Sequence, residues 1–359
     1  MEEKPIRVGF IGLNPDSHWA ATAHIPALAS LGDKFKVVGV ANSSVESARR
    51  TAEAMNLPHA FASAEELAHS PEVDLVVVTV KVPHHLELVT TALEAGKHVY
   101  CEWPLGNGLA EARRLAELAR AQGVVAVVGT QARVAPEILH LKQLIADGYV
   151  GTVLSTSLIG SGGNWAGTTS DDLYYLYDAR NGATMEMIPL AHTLAALQDV
   201  LGGIDQVSAR TLRRYETVRV TDTGETRPKT AADQVMLHGT LSDGAALAVH
   251  YRGGVSKGTN LLWEINGTEG DIQVTADLGH AQLTQLRVKG ARGDDQTLAP
   301  LMPDASEYQG KPHTAAARNV AGVYARLYQD ITQGSRTAPS FDDAVALHEL
   351  MDAIERSAR

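Results

Sequence analysis

The chain has 359 residues, 44% hydrophobic and 20% charged, with a formal net charge of −11. That length fits two domains of ordinary size, and the acidic balance excludes the basic footprint of a protein that contacts nucleic acid directly. The single cysteine, Cys101, excludes an intramolecular disulfide; with no signal-peptide pattern at Met-Glu-Glu-Lys-Pro and no apolar run of membrane-spanning length, the expectation is a cytoplasmic protein without a membrane partner.

Residues 6–12, Ile-Arg-Val-Gly-Phe-Ile-Gly, form a short apolar run ending in glycine, the pattern of a buried parallel strand. Similar runs lie at 35–41, 74–80, 97–101 and 124–129, with helical patterns at 47–55, 86–95 and 109–121 between them. Short apolar strands alternating with helices predict a doubly wound parallel sheet, a Rossmann domain over residues 1–129. The texture then changes. After a helix at 136–145, residues 153–160, 206–220, 234–241, 245–251, 260–266 and 271–275 read as strands. Many of them alternate apolar and polar residues, which predicts a mostly antiparallel open sheet. A helix at 184–201 interrupts the strands, helices at 313–333 and 342–357 flank them, and the polar segment 290–312 reads as a loop. The second domain is therefore placed at 130–359, for substrate binding and oligomerisation, and the class is α/β plus α+β. An exposed sheet face predicts a homodimer or homotetramer.

The first strand ends at Gly12 and continues Leu13-Asn14-Pro15-Asp16-Ser17-His18-Trp19. The glycine fingerprint of dinucleotide-binding loops is absent, because Asn14 and Ser17 stand at its second and third glycine positions. The physical requirement is close main-chain approach to a pyrophosphate at a helix N-terminus. Asn14 tolerates left-handed backbone, and both Asn14 and Ser17 can donate to phosphate. An ordinary strand-to-helix loop could carry the same residues. The second strand ends Ala41-Asn42-Ser43-Ser44. An acidic residue there would bind the ribose hydroxyls of NAD and repel the extra phosphate of NADP. Neutral Asn42 and Ser43 leave NAD and NADP both open, with a slight lean to NAD; a helix N-cap by Ser43 or Ser44 is the plainer reading.

Three further segments carry a resemblance: Val82-Pro83-His84-His85-Leu86-Glu87, then Ala95-Gly96-Lys97-His98-Val99 followed by Glu102 and Pro104, and Gly267-Thr268-Glu269-Gly270-Asp271-Ile272. Together they resemble the Gfo/Idh/MocA oxidoreductases over nearly the whole chain. In that family the second segment ends Glu-Lys-Pro and its lysine sits by the reacting carbon; here the position is Trp103. The resemblance implies a dinucleotide cofactor held by Gly12, Leu13, Asn14, Ser17, Trp19, Asn42, Ser43, Val80, His85, Glu102, Trp103 and Gln131. The family also places aspartates four residues before and three after a histidine. Here the histidine is kept as His192, while the aspartate positions are Ile188 and Ala195.

Taking a hydride from an alcohol needs a base for the hydroxyl proton, and histidine suits that task, so His192 is the candidate catalytic residue. A helix histidine retained for packing is the alternative. Trp103, Trp165 and Tyr177 offer flat faces to a sugar. Asp178 and Lys81 complete the candidate substrate contacts. Glu186, six residues before His192, does not share its helix face. The adjacent His84 and His85 lack a second ligand pair, so no metal site is expected.

The departures cluster at 12–14, Trp19, 102–104, 160–163, Tyr177-Asp178 and His192-Thr193. They resemble a branch of the family that includes the fungal galactose-regulon repressor, a dinucleotide-binding co-regulator. Two functions therefore remain open. One is an NAD(P)-dependent oxidoreductase acting on a small sugar or sugar derivative, including redox-assisted glycoside cleavage. The other is a non-catalytic dinucleotide-binding regulator, the only reading that requires a protein partner.

Overall fold

The computed structural model describes residues 4–16 and 18–358. Contacts divide the chain into two units. One takes the chain up to Gln131 together with Gly310–His348; the other takes Ala132–Gln309 and Glu349 onward.

The first unit is built on six parallel strands: β1 (Ile6–Ile11), β2 (Phe35–Ala41), β3 (His59–Ala60), β4 (Leu75–Val78), β5 (His98–Glu102) and β6 (Ala126–Gly129). Their order is β3-β2-β1-β4-β5-β6. Every residue of β4 is buried, as expected for a strand covered on both faces. Helices α1 (Ile25–Ser30), α2 (Val45–Ala54), α3 (Ala64–His69), α4 (His85–Glu94) and α5 (Leu109–Gln122) connect the strands. The direction of winding reverses between β1 and β4, which opens a crevice at the carboxyl ends of the strands.

Two elements here are additions to the sequence reading. The pair β3 and α3 is too short to show a period; α3 is defined instead by its cap, Ser63, whose hydroxyl accepts from Glu66 N at 3.1 Å. The long segment after Gly12 is also not all loop. Ala20–His24 form a π-helical turn that runs directly into α1. A π turn absorbs extra residues within a helix, and this one takes up part of the length between Gly12 and His24.

The second unit begins with α6 (Pro136–Ala146). Its strands are β7 (Val153–Ser161), β8 (Thr168–Thr169), β9 (Ile204–Leu212), β10 (Thr217–Val220), β11 (Thr226–Pro228), β12 (Gln234–Leu241), β13 (Ala246–Arg252), β14 (Leu261–Gly267), β15 (Gly270–Ala276), β16 (Arg287–Arg292) and β17 (Ala299–Pro300). Eight form one sheet, β17-β16-β15-β14-β7-β13-β12-β9, in which only β7 and β13 pair in parallel. The short strands β11-β10-β8 form a second sheet.

The segment 206–220, read from sequence as one strand, is two. The chain turns after Leu212 because buried Asp233 accepts from both Arg214 N and Tyr215 N, which takes the following residues into the small sheet. The segment read as a loop from residue 290 begins inside β16, where Arg287 and Lys289 are exposed and Val288 is the one large apolar residue. Helix α7 (Ala191–Leu201) is buried nearly all round and packs on α6; its Thr193 hydroxyl lies 2.9 Å from Tyr251 OH on β13.

Helices α8 (Ala315–Gln333) and α9 (Phe341–Ser357) end the chain. Sequence order placed residues 310–348 in the second domain, but their contacts are with the first unit. Buried Val320, Val323, Tyr324 and Leu327 give α8 an apolar side, and α8 packs against α1 and the π turn. Val128 N also donates to Pro339 O, which ties the α8–α9 connection to β6. No described helix is long and apolar enough to cross a membrane.

Candidate functional site

A cleft of about 660 Å³ lies at the carboxyl ends of β1, β2 and β4, with Gly12, Asn42, Ser43, Glu65 and Val80 among its lining. Gly12 has φ +94°, and a Cβ there would lie 2.5 Å from Val80 Cγ1. Only glycine fits, which leaves the main chain open to close approach by a ligand. Leu13 packs inward and contributes its main chain alone.

Asn42 does not stand ready for a ribose. Its Oδ1 accepts from Leu13 N at 3.1 Å, and its Nδ2 donates to Leu13 O at 2.9 Å. Both faces of the amide are used in holding the loop, so the ribose-binding role expected of it becomes a positioning role. A carboxylate at this position could accept but not donate, which is a physical reason for the missing acid. Ser43 is exposed at the cleft, while Ser44 is the N-cap of α2, accepting from Ser47 N. Asn14 Oδ1 accepts from Asp16 N at 3.1 Å and shapes the loop. Ser17 lies outside the described residues. The fit to a dinucleotide rests on the glycine that cannot carry a Cβ, the crevice position and the open hydroxyl of Ser43.

A buried polar network lies at the end of β5. Glu102 Oε1 accepts from Gln131 Nε2 at 2.7 Å and lies 2.9 Å from His24 Nε2. His24 Nδ1 is 2.8 Å from Tyr324 OH, and Gln131 Nε2 is 3.1 Å from Tyr100 OH. Burial, and then the charge of Glu102, holds the Tyr100 and Tyr324 hydroxyls protonated far above their ordinary range. In the tautomer in which His24 donates from Nε2 to the Glu102 carboxylate, Nδ1 accepts from the Tyr324 hydroxyl. Gln131 Oε1, Thr130 Oγ1 and Trp19 Nε1 are buried without a partner among the described residues. Trp19 sets its ring edge-on to His24 at 6.3 Å.

Trp103 is 5% exposed and packs on the ring of His348 with centroids 4.5 Å apart. Burial lowers His348 to about 4, so that ring is neutral. The Trp103–Pro104 peptide is cis. His85 was expected to touch the cofactor. Instead its Nδ1 lies 2.7 Å from Pro104 O and its Nε2 3.0 Å from Val80 O, so the ring braces two loops against each other. Lys81 is exposed just before the short helical turn Val82–His84.

In the second unit, His192 sits in the first turn of α7, directly after a π turn at Glu186–Leu190 that contains Pro189. Its ring meets His280 edge-on, with centroids 5.2 Å apart. Burial is the first cause that holds His192 well below its usual 6.5, and burial lowers His280 to about 3. Both rings are neutral at pH 7. His192 Nδ1 and both nitrogens of His280 are buried without partners among the described residues, as is Glu186 Oε2.

The aromatic faces expected to receive a sugar are closed. Tyr177 is 0% exposed; its OH accepts from Trp165 N at 2.9 Å and donates to Thr168 O at 2.9 Å. Trp165 is 3% exposed, and its Nε1 donates to Leu176 O at 3.0 Å. These two residues build the wall of the unit. Asp178 caps the turn at Ala179–Asn181 through Arg180 N, and the Arg180 guanidinium holds it at about 2. Its carboxylate is committed to that turn. Sequence reading missed His24, Tyr324 and His280. None of the three lies in a motif that assigns it a role, and only the fold brings them to their partners.

Residues 6–130 match the family model described as "Oxidoreductase family, NAD-binding Rossmann fold", and residues 136–276 match "Gal80p, C-terminal domain". The galactose/lactose metabolism regulatory protein GAL80 of Saccharomyces cerevisiae is 30% identical over 403 residues, covering 98% of this chain and 92% of that protein. Dehydrogenase aclE of Aspergillus oryzae is also 30% identical, covering 99% and 96%. The crystal structure of a super-repressor mutant of Gal80p from Saccharomyces cerevisiae superposes with a TM-score of 0.90 at 26% identity, covering 99% of this chain and 96% of that one. A regulator and a dehydrogenase are thus similar to the chain along almost its whole length. The parallel-sheet unit and the mostly antiparallel unit are the two parts those models describe, and the chain belongs to the Gfo/Idh/MocA oxidoreductase family, in the branch with a Gal80p-type C-terminal domain.

Proposed function

We propose that the protein is a dinucleotide-dependent oxidoreductase acting on a sugar or sugar derivative, with His192 as the group that takes the hydroxyl proton. The observation that carries this reading is the unpartnered Nδ1 of a buried, neutral His192. A buried polar atom left without a partner costs free energy, and a substrate hydroxyl would supply the missing hydrogen bond.

The dinucleotide is assigned to the first unit. Gly12 and Leu13 would present main chain to its phosphates, Ser43 a hydroxyl to its ribose, and Val80 an apolar wall. Trp103, Glu102 and Gln131 would shape the nicotinamide end, with His24 holding the carboxylate in place. Among the described residues the cleft lining includes Glu65, Glu87 and Glu94 and no Lys or Arg, which favours NAD over NADP with its added phosphate. Bound nicotinamide would supply the hydride acceptor. As a C–OH carbon is oxidised its hydroxyl becomes strongly acidic, so a weak neutral base such as His192 suffices to accept the proton.

The second reading is a dinucleotide-binding regulator with a protein partner. Two observations favour it: the regulatory relative at 30% identity, and the packing of Trp103 on His348 where a lysine is usual. Purified protein titrated with NAD and NADP, then followed at the reduced-nicotinamide absorbance against a sugar and polyol panel, separates the two. Tight dinucleotide binding without turnover on any member of the panel would sink the enzyme reading.

A further inference from the structure

The pair of buried histidines in the second unit reaches beyond a single proton acceptor. His280 belongs to the loop after β15, and that loop is fixed to α7 by a relay of hydrogen bonds. Thr193, next to His192, lies 2.9 Å from Tyr251 OH, and Tyr251 OH donates to Gly279 O, next to His280. Gly279 packs so closely that an added Cβ would lie 2.0 Å from Ser161 O. Both rings are therefore held by their neighbours, while three of their four nitrogens bond to nothing among the described residues. His192 is 1% exposed and His280 8%.

We propose that His192 and His280 together form a neutral hydrogen-bonding site that takes one uncharged, hydroxyl-bearing ligand and rejects carboxylate-bearing analogues. The assignment rests on reading His192 as the substrate-facing group. It adds His280 as a second substrate-binding residue and fixes the charge class of the substrate. Each neutral imidazole offers one donor and one acceptor, and the three unpartnered nitrogens match a ligand with neighbouring hydroxyls, which can both donate and accept. Burial is the first cause that lowers both imidazoles, and no charged side chain bonds their three unpartnered nitrogens among the described residues. An anionic ligand would lose its hydration here with no counter-ion in return.

The test is imidazole NMR of the full chain, titrated with xylitol, D-glucose and myo-inositol, and separately with D-glucuronate and with zinc ion. The expected result is that at least one polyol shifts the ring signals of both His192 and His280, while glucuronate and zinc move neither. His280→Phe should fold, because it replaces unpaired polar atoms by an apolar ring of similar shape, and should weaken polyol binding about tenfold, the worth of one good hydrogen bond. His280→Gln should keep affinity close to wild type. The proposal is overturned if no polyol shifts either ring, if only His192 responds, if glucuronate or zinc shifts the pair, or if His280→Phe binds polyol as wild type does. Turnover is a separate readout. Binding through both rings without turnover removes the oxidoreductase reading and keeps this one. Turnover with an unchanged KM in His280→Phe does the reverse.

Discussion

Asn42 shows how one side chain can hold a ligand loop without facing the ligand. Its amide uses an acceptor and a donor on the same residue, Leu13. Asn42→Asp keeps the acceptor, loses the donor and sets a carboxylate beside Leu13 O. The expected cost is about 1–3 kcal/mol of stability together with weaker NAD binding, read by denaturant melts and calorimetric titration. An unchanged melt would show that Asn42 has no such role. The buried histidines make a second prediction at this scale. Their folded pKa values are depressed, from 6.5 to about 3 for His280 and well below 6.5 for His192. Above the unfolded value both states are neutral and the stability is fully present. It is lost as pH falls from near 6.5 towards 3, because the unfolded chain binds the protons first. Denaturation as a function of pH should show this loss, and His280→Phe should make it shallower.

At the scale of elements, two of the buried histidines with candidate roles adjoin a π turn: His24 ends Ala20–His24 in the first unit, and His192 follows Glu186–Leu190 in the second. Such turns are frequent at functional sites because they re-aim a side chain without ending the helix. His24 depends on an element far away in sequence, since Tyr324 lies 300 residues on. Tyr324→Phe removes the donor to His24 Nδ1 and leaves a buried nitrogen unpaired. The expected loss is about 1–3 kcal/mol, with a larger effect on cofactor affinity than a plain packing change would give.

This dependence also explains what the sequence did and did not reveal. Apolar runs at 6–12 and 74–80 announce β1 and β4, because a strand buried on both faces must be continuously apolar. Helix α5 shows its period, and Gly123 its end. The short β3 and α3 have no room for a period, and β16 has only Val288 as a large apolar residue to mark its buried side. For the site, Gly12, His192 and Glu102 were legible from a backbone demand and from motifs. His280 lies in a loop, and only the fold brings it to His192.

The whole molecule joins two units whose membership does not follow chain order, since residues 310–348 group with the parallel sheet. Sequence order could not reveal that, because a helix does not announce which core its apolar side will meet. The large sheet of the second unit leaves one face uncovered. Across it Met236, His250, Ile159 and Leu262 are successive cross-strand partners on β12, β13, β7 and β14. Ile159 is 37% and Met236 36% exposed, and exposed apolar side chains on a sheet face favour association with a second copy. Ile159→Glu with Met236→Lys should shift the protein towards monomer in size-exclusion chromatography with light scattering, and an unchanged mass would argue against that face.

The decisive expectation is that the protein oxidises a neutral polyol with NAD and that His192 takes the hydroxyl proton. The most direct test is reduction of NAD by wild type and His192→Asn against neutral polyols, with NAD affinity measured alongside. The account predicts turnover that falls about a hundredfold or more in the variant, the usual worth of a positioned general base, at unchanged NAD affinity. Tight NAD binding with no reduction by wild type, or equal turnover in the variant, would contradict it.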